Sequence, residues 1–168
     1  FIFFLSEHLG VETSKIKSFV LGGHGDSMVA MLNHTYIDGK PISELVKNEK
    51  LKKDKLDFII NRTKNGGAEI VKFLEKGSAF YAPASSGVEM ADSYLNNRKK
   101  QLPCAAFLNG EYGVKSLYVG VPVIIGSNGV EKVIEIDLSP TEKENFNKSI
   151  DSVKKLYEAA IKIDPTLK

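Results

Sequence analysis

The chain has 168 residues, of which 42% are hydrophobic and 26% charged, and its formal net charge is +2. This length and composition predict one globular domain with a packed core. The small net charge argues against a nucleic-acid-binding protein. The single cysteine, Cys104, has no partner for an internal disulfide, so we expect a small buried thiol in a cytoplasmic protein.

The sequence predicts neither a secreted or membrane-spanning protein nor a metal-binding one. The apolar start of the chain, residues 1–5, is short and has no basic flank, which predicts neither a signal peptide nor a membrane span. The three histidines, His8, His24 and His34, do not have the spacing of zinc ligands. We therefore expect no metal and no membrane partner.

The first part of the chain predicts a helix, a strand and a turn. Residues 1–9 are expected to form the end of an apolar-faced helix, which Gly10 stops at its C′ position. Residues 16–21 predict one buried strand. Residues 35–41 predict a short strand followed by a turn.

Helical periodicity dominates the middle of the chain. In residues 54–74 apolar side chains recur at spacings of three and four, which predicts one helical face. Gly66 and Gly67 interrupt this pattern, and each glycine costs about 1 kcal/mol in a helix. The pair therefore predicts a kink or a close approach. Ser85 or Ser86 is expected to cap the helix that follows.

The last third predicts three strands. They are expected at residues 102–108, 118–125 and 130–138. Asn128-Gly129 predicts a two-residue type I′ hairpin, in which both central residues need a positive φ.

A last helix follows these strands. Ser139-Pro140-Thr141-Glu142 is a capping box with proline at the first helical position. The side chains expected to face inward from this helix are Phe146, Ile150, Val153, Leu156, Tyr157, Ala160 and Ile161. The whole pattern predicts an α+β fold of antiparallel hairpins packed with long helices.

The most informative segment is Gly22-Gly23-His24-Gly25-Asp26-Ser27-Met28, which follows a short apolar run. Glycine allows a tight turn and a close approach, and histidine titrates near neutral pH. A histidine in this setting is well placed to meet a substrate. The alternatives are a tight turn with an incidental histidine, or a hydrolase with His24 as base. The hydrolase is disfavoured because no nucleophile-elbow pattern surrounds Ser27.

This segment resembles the catalytic-histidine motif of the lactate/malate dehydrogenase family. Four further segments resemble that family in the same order, at residues 61–71, 77–84, 102–106 and 117–123. The resemblance is to the family's C-terminal domain, and it is strongest to the lactate-dehydrogenase-like bacterial malate dehydrogenases. It implies the same α+β fold.

The resemblance also implies a reaction and three site residues. His24 would exchange a proton with the oxygen of a 2-keto or 2-hydroxy dicarboxylic acid, while the cofactor NAD exchanges a hydride with the carbon. Ala79 would lie at the substrate, at a position where lactate-preferring relatives tend to carry threonine. Pro83 would pack on the nicotinamide, and it is equally a helix-start proline. Asp26 is expected to be structural.

The resemblance covers only one half of the family's proteins. No G-x-G-x-x-G opens a helix after a strand, so residues 1–168 are expected to be a substrate domain without a dinucleotide-binding domain. The orienting aspartate, the carboxylate-clamping arginine and the specificity loop of the family match no residue here. We therefore expect a malate dehydrogenase fragment that is inactive alone and that forms a homo-oligomer when complete. A lactate dehydrogenase domain and a non-catalytic packing module remain the alternatives.

Overall fold

The structure is a computed structural model that describes residues 1–167. Its helices are α1 (Ile2–Leu9), α2 (Ile42–Lys47), α3 (Lys53–Lys64), α4 (Gly66–Leu74), α5 (Tyr81–Leu95) and α6 (Pro140–Ile163). Its strands are β1 (Ile16–Lys17), β2 (Val20–Leu21), β3 (Val29–Ala30), β4 (Tyr36–Ile37), β5 (Lys40–Pro41), β6 (Lys100–Asn109), β7 (Lys115–Gly126) and β8 (Gly129–Val133).

The strands form three antiparallel sheets, in the orders β1-β4-β5, β2-β3 and β6-β7-β8. The long β6–β7 hairpin pairs from Lys100 opposite Ile125 to Asn109 opposite Lys115. Because every strand pairing within residues 1–167 is antiparallel, the predicted α+β class is confirmed. The described residues contain no parallel, doubly wound sheet of the dinucleotide-binding kind.

Two apolar cores hold these elements together. The larger core joins β2, β3, β6 and β7 to α6, and its fully buried side chains include Leu108, Val121 and Phe146. The smaller core joins α1, α2 and α3 around Leu5 and Leu51. Each side chain of this size stabilises the fold by about 1.5–3 kcal/mol when it is fully buried.

The predicted helix ends are largely confirmed at α1, α3 and α4. Gly10 ends α1 in the left-handed conformation, with φ 63°. The glycine pair separates α3 from α4, since α3 ends at Lys64 and α4 begins at Gly66. Arg62 and Glu69 bridge this break with two hydrogen bonds of 2.7 and 3.1 Å.

The single strand expected at residues 16–21 is wrong. The chain forms β1, breaks, and then forms β2. β1 pairs with β4 and β2 pairs with β3, in different sheets. The reason is that Ile16 belongs to the smaller core and Leu21 to the larger one, so the chain changes cores within this segment.

The cap expected at Ser85 or Ser86 is also wrong, because α5 already begins at Tyr81. Ser86 lies inside the helix, where its hydroxyl donates to the carbonyl oxygen of Ala82 at 3.0 Å. Pro83 lies in the first turn, where the amide that proline lacks would have no helical partner. Its prediction as a helix-start proline is therefore confirmed.

The hairpin between β7 and β8 forms, but its turn is shifted by one residue. Gly126 pairs with Gly129, so the loop residues are Ser127 and Asn128. Gly129 has a φ of 82°, whereas Asn128 does not have a positive φ. This is not the predicted type I′ turn. The last strand ends at Val133 rather than at residue 138.

The capping box of α6 is confirmed. The inward face predicted for this helix is wrong at Leu156 and Tyr157, whereas Ala160 and Ile161 are half-buried. Phe146 and Ile150 are buried, and Val153 packs against the larger core. Leu156 is 72% exposed and Tyr157 is also exposed. A helix of 24 residues is about 36 Å long, and its second half extends past the strands that bury its first half. No helix within residues 1–167 has the length and apolarity needed to cross a membrane.

Candidate active site

The loop that carries His24 is tied by its backbone to the long hairpin. Gly22 N donates to Gly120 O at 2.8 Å, and Gly120 N donates to Gly22 O at 3.0 Å. A Cβ atom on Gly120 would collide with the carbonyl oxygen of Gly22. The two backbones can meet this closely only because β7 carries a glycine at this position.

The same loop lies directly on α6. Gly23 N donates to Ser149 Oγ at 2.8 Å, and a Cβ atom on Gly22 would collide with that oxygen. Gly22 also has a φ of 91°, which side chains disfavour. Gly22 therefore serves close packing against α6, whereas a Cβ atom on Gly23 would collide with Ser27 Oγ of the same loop.

His24 itself projects from this tightly held loop and is exposed. It lines an open cavity of about 600 Å³ together with Asp26, Ser27, Ser152, Lys155 and Leu156. No ion pair joins His24 to a carboxylate of residues 1–167. Asp26 is exposed and forms no ion pair with His24, and its structural role stays a prediction. The imidazole is thus accessible to solvent.

The two other predicted site residues lie on a different part of the domain. Ala79 is half-buried in the irregular segment between α4 and α5. Pro83 is exposed in the first turn of α5, two residues after Tyr81, which is 90% exposed. Neither Ala79 nor Pro83 lines the cavity at His24. The structure therefore brings His24 together with α6, and it does not bring Ala79 or Pro83 to the same cavity.

Sequence reasoning missed Ser149, which is 2% exposed and supports the loop from a position 126 residues away. Its only local signal is its spacing, three residues after the buried Phe146. That spacing puts a serine on the apolar face of α6. A polar residue on such a face needs a partner, and here the partner is the backbone of the histidine loop.

Glu142 is a second residue whose full role was missed. As the capping box predicts, its carboxylate accepts from Ser139 N at 3.0 Å and its amide donates to Ser139 Oγ at 3.3 Å. The carboxylate also accepts from Ser139 Oγ at 2.8 Å. It also accepts from Asn33 N at 3.0 Å, which ties the segment after β3 to α6. No sequence pattern reveals that last bond, because Asn33 lies 109 residues away.

These contacts set the ionisation of Glu142. Burial alone would raise the pKa of its carboxyl group. The bonds from Asn33 and Ser139 outweigh burial, and the charge of His34 adds to them. The pKa of Glu142 is therefore below its ordinary value of 4.5, and the charged form holds the two segments together.

Cys104 has no catalytic setting within residues 1–167. The thiol is half-buried on β6 and lies 3.6 Å from the sulfur of Met90. Burial, followed by the charge of Glu89, raises the pKa of the Cys104 thiol. A thiol that stays protonated is a weak nucleophile, so we assign Cys104 to packing. No three potential metal ligands cluster in this part of the chain.

Comparison with known proteins identifies the family. A family model described as the lactate/malate dehydrogenase alpha/beta C-terminal domain matches residues 1–163. The chain belongs to this family. It is 58% identical over 167 residues to a malate dehydrogenase of Pelagibacter ubique strain HTCC1062, covering 99% of this chain and 52% of that protein. The chain therefore spans about half the length of this curated dehydrogenase.

Solved structures of the family share the fold. A malate dehydrogenase from Cryptosporidium parvum superposes with a TM-score of 0.89 at 44% identity, over 92% of this chain and 49% of that one. A lactate dehydrogenase from Eimeria maxima, solved with NADH and oxamate, gives 0.92 at 37% identity, over 98% of this chain and 51% of that one. The predicted C-terminal-domain fold of the lactate/malate dehydrogenases is thereby confirmed.

Proposed function

We propose that this chain is the substrate-binding and catalytic half of an NAD-dependent malate dehydrogenase that interconverts malate and oxaloacetate. The observation that carries the proposal is the exposed His24, held on a rigid glycine loop at an open cavity. The 58% identity to a malate dehydrogenase supports it. In this proposal residues 1–168 form the substrate domain, and a dinucleotide-binding domain outside this chain supplies the other half.

The chemistry assigned to His24 follows from the reaction. Reduction of a 2-keto acid adds a hydride to carbon and a proton to oxygen. A protonated imidazole nitrogen of His24 donates a hydrogen bond to the carbonyl oxygen, stabilises the negative charge that develops there, and then transfers its proton. In the oxidation direction the neutral imidazole accepts the proton of the hydroxyl group.

The described residues include one that would contact the nicotinamide of NAD, but they include no turn that would bind its phosphates. When bound, NADH supplies the hydride and NAD accepts it. Pro83 is exposed at the start of α5, so its ring is available to pack on a nicotinamide. Residues 1–167 contain no parallel sheet with a phosphate-binding turn. The rest of the cofactor site is assigned to residues outside this chain.

Ala79 supports the choice of a dicarboxylic substrate. Oxaloacetate has one more carboxylate than pyruvate, and alanine leaves more room than the threonine of lactate-preferring relatives. The half-burial of Ala79 is compatible with a place at the edge of a substrate site. An L-lactate dehydrogenase is the second candidate, because a lactate dehydrogenase superposes as well as a malate dehydrogenase does.

The first experiment replaces the proton-exchanging group in the complete protein. His24→Asn removes the imidazole and is expected to lower turnover by about 10²–10⁴-fold, which is the contribution of a general acid–base. Steady-state oxidation of NADH by oxaloacetate measures this loss. Binding of NADH should be spared, and it provides the control. Near-normal turnover of His24→Asn would overturn the assignment.

The second experiment tests the substrate. We expect a higher kcat/KM for oxaloacetate than for pyruvate, and Ala79→Thr should narrow that ratio by filling space beside the second carboxylate. Both keto acids are compared in the complete protein and in the variant. A preference for pyruvate in the unmodified protein would move the chain to the lactate dehydrogenases and leave the role of His24 intact.

The proposal also covers the oligomeric state of the complete protein. Several large apolar side chains of α4 and α5 are exposed, among them Phe73, Tyr81, Val88 and Leu95. An apolar surface of this kind is typical of an interaction site. We therefore propose that the complete protein is a homo-oligomer and that part of this surface is covered within it. The cytoplasmic location stays a prediction from composition.

A further inference from the structure

We propose that Ser149 is a positioning residue for His24 and acts through the backbone of Gly23. This inference rests on the proposed function, in which His24 exchanges the proton. It adds a contribution of α6 to that reaction. Ser149 has no place in the chemistry itself, since its hydroxyl is buried beneath the loop.

The bond between Ser149 and the loop acts next to the reacting side chain. Gly23 N donates to Ser149 Oγ at 2.8 Å, and Gly23 directly precedes His24. The bonded amide belongs to the peptide unit between Gly22 and Gly23, so the bond fixes the backbone one residue before His24 and thereby the position from which the imidazole projects. Ser149 is 2% exposed, and loss of its hydroxyl would remove the acceptor that the Gly23 amide has in the protein.

The loop packs closely against α6 around the hydrogen bond between Gly23 N and Ser149 Oγ. A Cβ atom at Gly22 would collide with Ser149 Oγ, and a Cβ atom at Gly23 would lie 3.3 Å from Val153 Cγ2. Ser149 and Val153 are four residues apart and therefore share one face of α6. A Cβ atom at Gly23 would also collide with Ser27 Oγ of the loop itself. The backbone of Gly22 and Gly23 therefore lies close to α6, and a shift in this contact would displace the backbone next to His24.

The opposite side of the loop is fixed by the two bonds between Gly22 and Gly120. His24 is thus held between β7 and α6 through backbone atoms. Within residues 1–167 no carboxylate pairs with its ring. Displacement of a reacting group by about 1 Å can cost about 10²-fold in rate, so the backbone support at Gly23 is expected to matter for turnover.

The test is Ser149→Ala in the complete protein. We expect kcat to fall by about 10- to 100-fold, within the range for a misplaced catalytic group. The KM for the keto acid and the Kd for NADH should stay nearly unchanged, because the binding residues are untouched. A kcat equal to that of the unmodified protein would overturn the proposal.

Ser93 provides the matched control. It is fully buried on α5, donates to Ile125 O at 2.7 Å, and accepts from Lys100 N at 3.2 Å. Ser93→Ala removes the same kind of bond from another helix. It should lower the melting temperature at least as much as Ser149→Ala and leave kcat unchanged. Equal losses of kcat in the two variants would show a general structural effect and would refute the positioning role.

A double variant separates this inference from the proposed function. If Ser149 acts only through His24, the pair His24→Asn and Ser149→Ala should turn over no more slowly than His24→Asn alone. A further drop would place the effect of Ser149 elsewhere and overturn the inference. An active His24→Asn would refute the proposed function, whereas an inactive His24→Asn beside a fully active Ser149→Ala would refute the positioning role alone.

Discussion

Gly120 shows how a single residue in the long hairpin controls the shape of the histidine loop. Its position in β7 has no space for a side chain, because a Cβ atom there would meet the carbonyl oxygen of Gly22. The two glycines also exchange both backbone hydrogen bonds. Any side chain at this position must therefore separate the hairpin from the loop.

We expect Gly120→Ala to lower the free energy of unfolding by about 1–3 kcal/mol, the usual cost of overpacking. Urea unfolding of the purified chain measures this change. Gly87→Ala is the control, because Gly87 lies inside α5 with open space around it. That change should be neutral or stabilising, since alanine favours a helix. Equal stability of Gly120→Ala and the unmodified chain would contradict the close contact.

The sequence alone singled out His24 and the glycines around it, because they form one local motif after a short apolar run. The catalytic role of His24 stays a prediction. The purpose of two of the glycines was not predictable in the same way. Gly22 meets Gly120, and Gly23 meets Ser149 across 126 residues. Contacts between distant parts of the chain leave no local trace beyond an unexplained glycine or a serine on an apolar face.

At the scale of elements, the start of α6 anchors the segment after β3. The Glu142 carboxylate accepts from Asn33 N and from both donors of Ser139. These bonds favour the charged carboxylate and hold its pKa below the ordinary value of 4.5, despite the opposing effect of burial. A depressed pKa contributes stability that is present above the unfolded pKa and is lost as pH falls through the folded one.

Glu142→Gln is expected to lower the free energy of unfolding at neutral pH by about 1–3 kcal/mol, because hydrogen bonds to a charged acceptor are lost. The difference between variant and unmodified chain should shrink as pH falls below 4.5. Unfolding measured across an acid pH series tests this dependence. A difference that is independent of pH would show that the charge of Glu142 does not contribute.

Glu144 is the control for this charge effect. It lies on the same turn of α6, and its only described ion pair is an exposed one with Lys148 at 2.6 Å. Exposed pairs of this kind contribute little. Glu144→Gln should therefore leave the free energy of unfolding almost unchanged at every pH in the series.

The elements differ in how far the sequence could predict them. The capping box at Ser139 and the left-handed Gly10 are local signals, and both are confirmed. The strand expected at residues 16–21 is wrong because the segment divides between two cores, a tertiary choice that the local sequence does not reveal. The inward face of α6 is wrong at Leu156 and Tyr157, because periodicity gives the face of a helix and not the extent of what it packs against.

At the scale of the whole molecule, we expect the 168-residue chain alone to lack activity. It should show neither oxaloacetate-dependent oxidation of NADH nor saturable binding of NADH, because residues 1–167 contain no dinucleotide-binding sheet. Coupled absorbance and fluorescence titration measure the two properties. Turnover by the purified chain would show that these residues hold more of the cofactor site than we assign to them.

α4 has no buried residue in the described part of the chain, and the Phe73 side chain on it is 78% exposed. Segments with so few buried contacts open locally at a low free-energy cost, and their amide protons exchange quickly with solvent. Ala79 connects this helix to α5, so it shares that local instability. In the proposed homo-oligomer, a subunit that packs on α4 would also hold the proposed selectivity residue in place, so we expect discrimination between keto acids to depend on assembly.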